Sequence, residues 1–178
     1  MSIESLYSHF LQSTGVSTDT RKIGQGNIFF ALKGPNFNAN DFAPKALEAG
    51  ASLVVVDEQR VIPDGDPRYF LVDDVLLALQ KLASHHRNQF NFPVIGITGS
   101  NGKTIVKEWL YQLLASDFNI VRSPKSFNSQ IGVPLSVWQI KPEHNLGIFE
   151  AGISKAAEMQ SLAEVIDPTI GILTNIGE

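Results

Sequence analysis

Short runs rich in β-branched and aromatic residues recur along the chain, and between them the apolar positions change to helical spacing. NIFFAL (27–32), SLVVV (52–56) and YFLV (69–72) predict strands in the first part; PVIGIT (93–98), NIV (119–121), LGIFEA (146–151) and TIGILT (169–174) predict strands in the second. Helical spacing marks the start, MSIESLYSHFLQSTG. It returns in NDFAPKALEAG, with Asp41 as the expected N-cap, Pro44 in the first turn and Gly50 as the stop. DDVLLALQKLASHHRN places Val75, Leu76, Leu79, Leu82 and Ala83 on one face behind an aspartate cap, and further helices are predicted over 102–115 and about 155–166, the last closed by Asp167-Pro168. Strands alternating with helices define an α/β fold. The long helix beginning near 73 divides it into a small N-terminal α/β domain, residues 1–73, and the first part of a parallel-sheet domain, residues 74–178.

VIGITGSNGKTIVKEWL (94–110) carries the strongest chemical signal. A strand that breaks into Thr-Gly-Ser-Asn-Gly-Lys-Thr and passes straight into a helix aims several backbone N–H groups and the positive end of the helix dipole at one point, which suits a phosphate. Gly99 and Gly102 let the backbone curl, with Ser100 and Asn101 between them. Lys103 can reach terminal phosphates, and the Thr104 hydroxyl can coordinate Mg²⁺. The common P-loop spacing places a glycine where this chain has Ile97, so the turn is a shortened form. Ile105, Val106, Trp109, Leu110, Leu113 and Leu114 are expected to bury one face of the following helix.

Composition narrows the partners. Lys and Arg number 14 against 18 Asp and Glu, so there is no cationic excess for nucleic acid or an anionic membrane. With 43% hydrophobic residues the chain can bury a core, and with no cysteine it has neither a disulfide framework nor a thiolate metal site. No stretch approaches a membrane span and the N-terminus is unlike a signal peptide, so a cytoplasmic location is expected. The four histidines lack metal-ligand spacing.

The turn TGSNGKT resembles the ATP loop of the Mur ligases, which join a carboxylate to an amine with ATP. STDTRKIGQGNIFFALKG (17–34) is similar to the UDP-sugar-binding start of that family. Lys107-Glu108, FNSQIGVPLS (127–136) and FEAGIS (149–154) resemble motifs of the member that adds D-alanyl-D-alanine to UDP-N-acetylmuramoyl-tripeptide in peptidoglycan precursor synthesis. The resemblance implies an ATP- and Mg²⁺-dependent ligase working through an acyl phosphate. It implies that Lys103 is catalytic, that 99–104 binds ATP, and that Thr104 and Glu150 hold the metal. It also implies that Thr20, Arg21, Lys33, Gly34 and Asn36 contact the uridine diphosphate, and that Asn128 orients phosphate or substrate. A carboxylate after an apolar strand also serves as a cap, and an asparagine before Ile131-Gly132 also serves as a turn residue, so both readings stand for Glu150 and Asn128.

Three places depart from the family pattern: Ile105 replaces a second Thr or Ser, Lys125-Ser126 a Gly-Asn, and Ala39-Asn40 a Gly-His. Ile105 is harmless if it faces the core. The family continues past TNIGE with a carbamylated lysine and a C-terminal domain, and some members carry a fused alanine racemase. The chain is therefore expected to be an N-terminal fragment, inactive alone. The ligase adding the third peptide residue, a small-molecule kinase and a non-catalytic nucleotide-binding module are the alternatives.

Overall fold

A computed structural model describes residues 2–153 and 158–177. The chain divides into two compact units, Met1–Leu82 and Ala83–Glu178. In the first, α1 (Ile3–Gln12) leads to β1 (Val16–Ser17), β2 (Ile28–Phe30), a small antiparallel hairpin of β3 (Lys33–Gly34) and β4 (Phe37–Asn38), α2 (Ala43–Glu48), β5 (Leu53–Val56) and β6 (Tyr69–Leu71). The main sheet is parallel in the order β1-β2-β5-β6. Every residue of β2 and β5 is buried, as an unbroken β-branched and aromatic run requires when both faces of a parallel sheet are covered. Phe29, Val54 and Val56 pack with Ala43 and Ala46 of α2 on one face.

Asp41 does not cap α2. A 3₁₀ turn over Ala39–Phe42 precedes that helix, Asn38 caps the turn through the Asn40 amide, and Asp41 instead accepts from Arg60 at 2.7 Å. The Pro44 and Gly50 signals hold: Pro44 stands in the first turn of α2, and Gly50, at φ 107°, returns its amide to the Leu47 carbonyl. β1, the β3/β4 hairpin and α5 below are elements that the apolar pattern leaves unmarked, each being too short to show a period.

α3 (Val75–Arg87) is capped by Asp74, whose carboxylate accepts from the Leu77 amide at 2.7 Å. In the second unit β7 (Val94–Thr98), α4 (Lys103–Leu114), β8 (Ile120–Arg122), α5 (Gly132–Val137), β9 (Leu146–Glu150), α6 (Glu158–Ile166) and β10 (Ile170–Leu173) follow. The first residues expected in the last helix lie outside the described residues. The sheet is parallel, in the order β10-β7-β9-β8. Alternation along β7 and β9 sends Ile95, Ile97, Leu146 and Ile148 to one face, against Val106, Leu110 and Leu114 of α4. Val94 and Phe149 go to the other, against Val133 and Val137 of α5 and Leu162, Val165 and Ile166 of α6.

The expected core stripe of α4 is only half right. Ile105, Trp109 and Leu113 are 57%, 64% and 72% exposed, while Lys107 is wholly buried. The apolar arc of this helix is wider than the strands β7 and β9 beneath it can cover, so Val106, Leu110 and Leu114 fill the sheet contact and the flanking row is left outside. Ile105 thus faces outward rather than into the core.

Candidate active site

The connection after β7 runs to α4 on one face of the sheet, and that after β9 runs to α6 on the opposite face. Adjacent parallel strands whose connections leave in opposite directions open a crevice beyond their carboxyl ends, where open α/β sheets take their ligands. The glycine turn 99–102 and Glu150 both stand at this crevice, as the last residues of β7 and β9 dictate.

The turn has the geometry its sequence requires. Gly99 and Gly102 both adopt positive φ, 128° and 84°, and Gly102 is the residue that starts α4. At Gly99 space matters as well: a Cβ there would lie 2.2 Å from Thr174 Oγ1 and 2.8 Å from the Asn175 carbonyl oxygen. Thr174 and Asn175 brace the turn from behind. The Ser100 amide donates to the Asn175 backbone oxygen (2.9 Å), the Asn101 amide to its side-chain oxygen (2.9 Å), and Thr174 Oγ1 to the Asn101 carbonyl (2.5 Å). These two residues were missed by sequence reasoning, since a polar pair after a strand carries no motif. Two of the loop amides are thereby engaged, while those of Lys103 and Thr104, in the first turn of α4, have no intrahelical acceptor. Lys103 Nζ folds over the loop and donates to the Gly99 carbonyl at 2.6 Å.

Thr104 and Glu150, 46 positions apart, meet directly: the hydroxyl donates to Oε2 at 3.0 Å. Glu150 is fully buried. Its other oxygen lies 2.9 Å from Lys107 Nζ, but that ammonium directs its hydrogen bonds to the carbonyls of Ser123 (2.8 Å) and Lys125. The contact with Oε1 is charge against charge, and Oε1 is left buried without a directed donor. A hydroxyl and a carboxylate oxygen with lone pairs to spare fit a hard cation that keeps water or phosphate as its remaining ligands. Among the described residues no cluster of three or more acidic or histidine side chains offers an all-protein metal cage. Asn128 comes to the same edge, its carbonyl accepting from the Gly152 amide at 2.7 Å just beyond β9.

In the first unit, β1 and β2 are neighbours, so the loops at their carboxyl ends share one edge. Thr20 and Arg21 occupy the 3₁₀ turn after β1, and Lys33, Gly34 and Asn36 the hairpin after β2. Both cations already hold carboxylates. Arg21 clasps Asp19 through two N–H groups, holding that carboxyl at about 2, and Lys33 lies 2.8 and 2.9 Å from Asp57 and Glu58. The Phe37 ring lies over Gly34, where a Cβ would meet it at 2.2 Å, so a side chain there would have to displace that exposed ring. Asn40, fully buried, ties the hairpin to β5 through Asp57, its side chain donating at 2.8 Å and accepting from the Asp57 amide at 3.1 Å.

A glycine turn between a central parallel strand and its helix, a Lys-Thr pair at the helix start and a strand-end carboxylate across the crevice define a P-loop-type α/β domain. Comparison with known proteins carries this further. Residues 97–178 match the family described as the Mur ligase middle domain, and residues 12–87 match that described as Mur ligase family, catalytic domain. The chain belongs to the Mur ligase family. It is similar to the UDP-N-acetylmuramoyl-tripeptide–D-alanyl-D-alanine ligases of Synechocystis (36% identical over 170 residues, 96% of this chain and 37% of the relative) and Bacillus subtilis (37% over 164 residues, 92% and 36%). Among solved structures it resembles MurF from Acinetobacter baumannii, with TM-score 0.87 and 26% identity over 99% of this chain and 41% of that one. It also resembles the MurF ligase of Thermotoga maritima in complex with ADP, with TM-score 0.84 and 29% identity over 94% and 38%. The chain thus spans little more than a third of the length of the curated relatives it matches.

Proposed function

We propose that this chain carries the nucleotide-binding and UDP-substrate-binding parts of an ATP-dependent ligase that joins D-alanyl-D-alanine to UDP-N-acetylmuramoyl-tripeptide. The observation that carries the reading is the meeting of Thr104 with Glu150 at the mouth of the glycine turn. Similarity to ligases of this name supports the choice of substrates, and the ADP in the Thermotoga relative supports the nucleotide.

In this reading the tripeptide carboxylate attacks the γ-phosphorus of ATP, forming a new P–O bond as the bond to ADP breaks. The amine of D-alanyl-D-alanine then attacks the acyl carbon, loses a proton, and the C–O bond to phosphate breaks. Both reactants of the first step are anionic, so the protein's task is alignment and charge neutralisation. Lys103 sits on the terminal phosphates, with the first-turn amides of α4 beside it. Thr104 and Glu150 would hold a magnesium ion, which supplies further charge neutralisation on the phosphates. Asn128 orients phosphate or substrate. Thr20, Arg21, Lys33, Gly34 and Asn36 receive the uridine diphosphate, whose oxygens take Arg21 and Lys33 in competition with Asp19, Asp57 and Glu58. A reaction fed by ATP and a UDP-linked precursor belongs in the cytoplasm, and among the described residues no helix is long and apolar enough to cross a membrane.

The test is the full-length protein with UDP-muramoyl tripeptide, ATP and D-alanyl-D-alanine, following both phosphate release and the mass of the amide product. Release that depends on the dipeptide acceptor is expected. Product only from UDP-muramoyl dipeptide and a single amino acid would reassign the protein to the preceding step.

A further inference from the structure

Lys107 has no role in the reading so far, yet among the described residues it is the most deeply buried cation of the second unit, and its ammonium touches three elements at once. From α4 it reaches the end of β9 at Glu150 Oε1 (2.9 Å), the end of β8 at the Ser123 carbonyl (2.8 Å), and the turn beyond at the Lys125 carbonyl. Ser123 closes the same circuit, its buried hydroxyl accepting from the Glu150 amide at 3.0 Å. Lys125 holds φ 52°, a left-handed conformation disfavoured for a side-chain-bearing residue, and the turn it makes leads to Asn128. Glu108 adds a partial counter-charge 3.3 Å from the same ammonium and is itself held by Arg122, whose guanidinium stacks 3.8 Å over Tyr111.

A lysine and a glutamate with no exposed side-chain surface keep their charges only through each other and their hydrogen bonds, so removing one strands the other. The pairing has a further consequence at the crevice. A bare divalent cation approaching Glu150 meets an ammonium already at its Oε1, and the two positive charges compete for one carboxylate. Phosphate oxygens arriving with the metal add the negative charge that lets both cations stay. We propose that Lys107 is a positioning residue: it serves as the resident counter-cation of Glu150, locks that carboxylate to the 123–128 turn, and restricts metal binding there to metal accompanied by nucleotide. This inference rests on the assignment of Thr104 and Glu150 as magnesium ligands.

The experiment is thermal melting of the full-length protein without substrates, with and without magnesium, for wild type, Lys107→Met, Glu150→Gln and the double variant. Lys107→Met is expected to lower the midpoint of the transition by on the order of 5 °C or more. Adding Glu150→Gln to it is expected to recover most of that loss, because a neutral amide needs no counter-cation. Magnesium alone should raise the midpoint of Lys107→Met and leave wild type unmoved. A merely structural lysine would not produce that difference. Equal magnesium shifts in wild type and Lys107→Met would overturn the proposal. So would a double variant no better than Lys107→Met while Glu150→Gln folds normally. Should Lys107→Met fail to fold, a folded double variant supports the pairing, and an unfolded one beside folded Glu150→Gln refutes it. No turnover enters these measurements, so failure of the three-substrate assay would sink the ligase reading separately from the pairing.

Discussion

Gly99→Ala tests whether the glycine turn is held by its own backbone or by the segment behind it. The substitution demands two things at once. It places a side chain at φ 128°, and it drives a Cβ to 2.2 Å from Thr174 Oγ1 and to 2.8 and 2.9 Å from the Asn175 backbone, so the 174–175 segment must move. The backbone strain costs about 1–2 kcal/mol. Displacing the segment loosens the bonds from Ser100 and Asn101 to Asn175 and from Thr174 to Thr98 and Asn101, each worth about 1 kcal/mol at most and less where water can replace it. The expected loss is about 2–4 kcal/mol. Gly102→Ala is the internal control: its φ is also positive, but the nearest atom is Thr174 Cβ at 3.8 Å, so only the strain of about 1–2 kcal/mol applies. Urea denaturation followed by tryptophan fluorescence measures both, since Trp109 and Trp138 both lie in the unit that holds the turn. Equal losses for the two alanine variants would refute the brace, and a Gly99→Ala protein as stable as wild type would refute the steric argument altogether.

Three further outcomes are expected. Lys103→Ala in the full-length enzyme should lower turnover by on the order of 10²-fold or more with the fold intact, because the ammonium is the fixed charge over the loop; near-normal turnover would remove the loop from the mechanism. Glu150→Gln should raise the magnesium concentration needed for half-maximal rate more than it changes the KM for the UDP substrate, and an unchanged magnesium titration would return Glu150 to a structural role. Burial holds His86 below its ordinary pKa of 6.5, where its Nε2 meets the Ile140 carbonyl at 3.0 Å. With the folded-state value depressed, its contribution to stability is present above about pH 6.5 and is lost as pH falls through the folded value. The stability gap between wild type and His86→Gln, from denaturation midpoints, should therefore shift against wild type on acidification, and a pH-independent gap would contradict it.

What could be read in the sequence follows from how local its physics is. The longer strands β2, β5, β6, β7, β8, β9 and β10 and the ends of α3 and α4 were visible because period, caps and glycines lie within a few residues of the feature they set. The turn 99–104 was visible for the same reason, whereas its distant partner Glu150 was singled out by the family resemblance, its position after an apolar strand fitting a cap equally well. That α2 starts without a side-chain cap, behind a 3₁₀ turn capped by Asn38, was not visible, because that turn depends on Asn40 being anchored to Asp57, 17 residues on. Nor could the sequence show that Arg21 and Lys33 are already paired: Asp19 is a neighbour, but Asp57 and Glu58 reach Lys33 only because β2 and β5 lie side by side.

α4 shows most sharply where periodicity stops being informative. Hydrophobic spacing assigns Trp109 to the core and would leave Lys107 to solvent, and the structure reverses both. A lysine can be the inward residue when its stem crosses apolar surface and its ammonium ends among fixed acceptors, and here the acceptors come from β8, β9 and the turn between them. None of those partners is within a helical turn of Lys107 in sequence, so no helical pattern can predict the burial. Conversely Trp109 is apolar but has no strand beneath it, because β7 and β9 are occupied by Val106, Leu110 and Leu114. The helix therefore buries a charge on the side that faces the carboxylate and exposes a tryptophan on the other. That inversion fits a helix whose placement is governed by the site at its N-terminus: orienting Thr104 toward Glu150 fixes its rotation, and at 100° per residue Lys107 then falls beneath the same carboxylate, nearly one turn on.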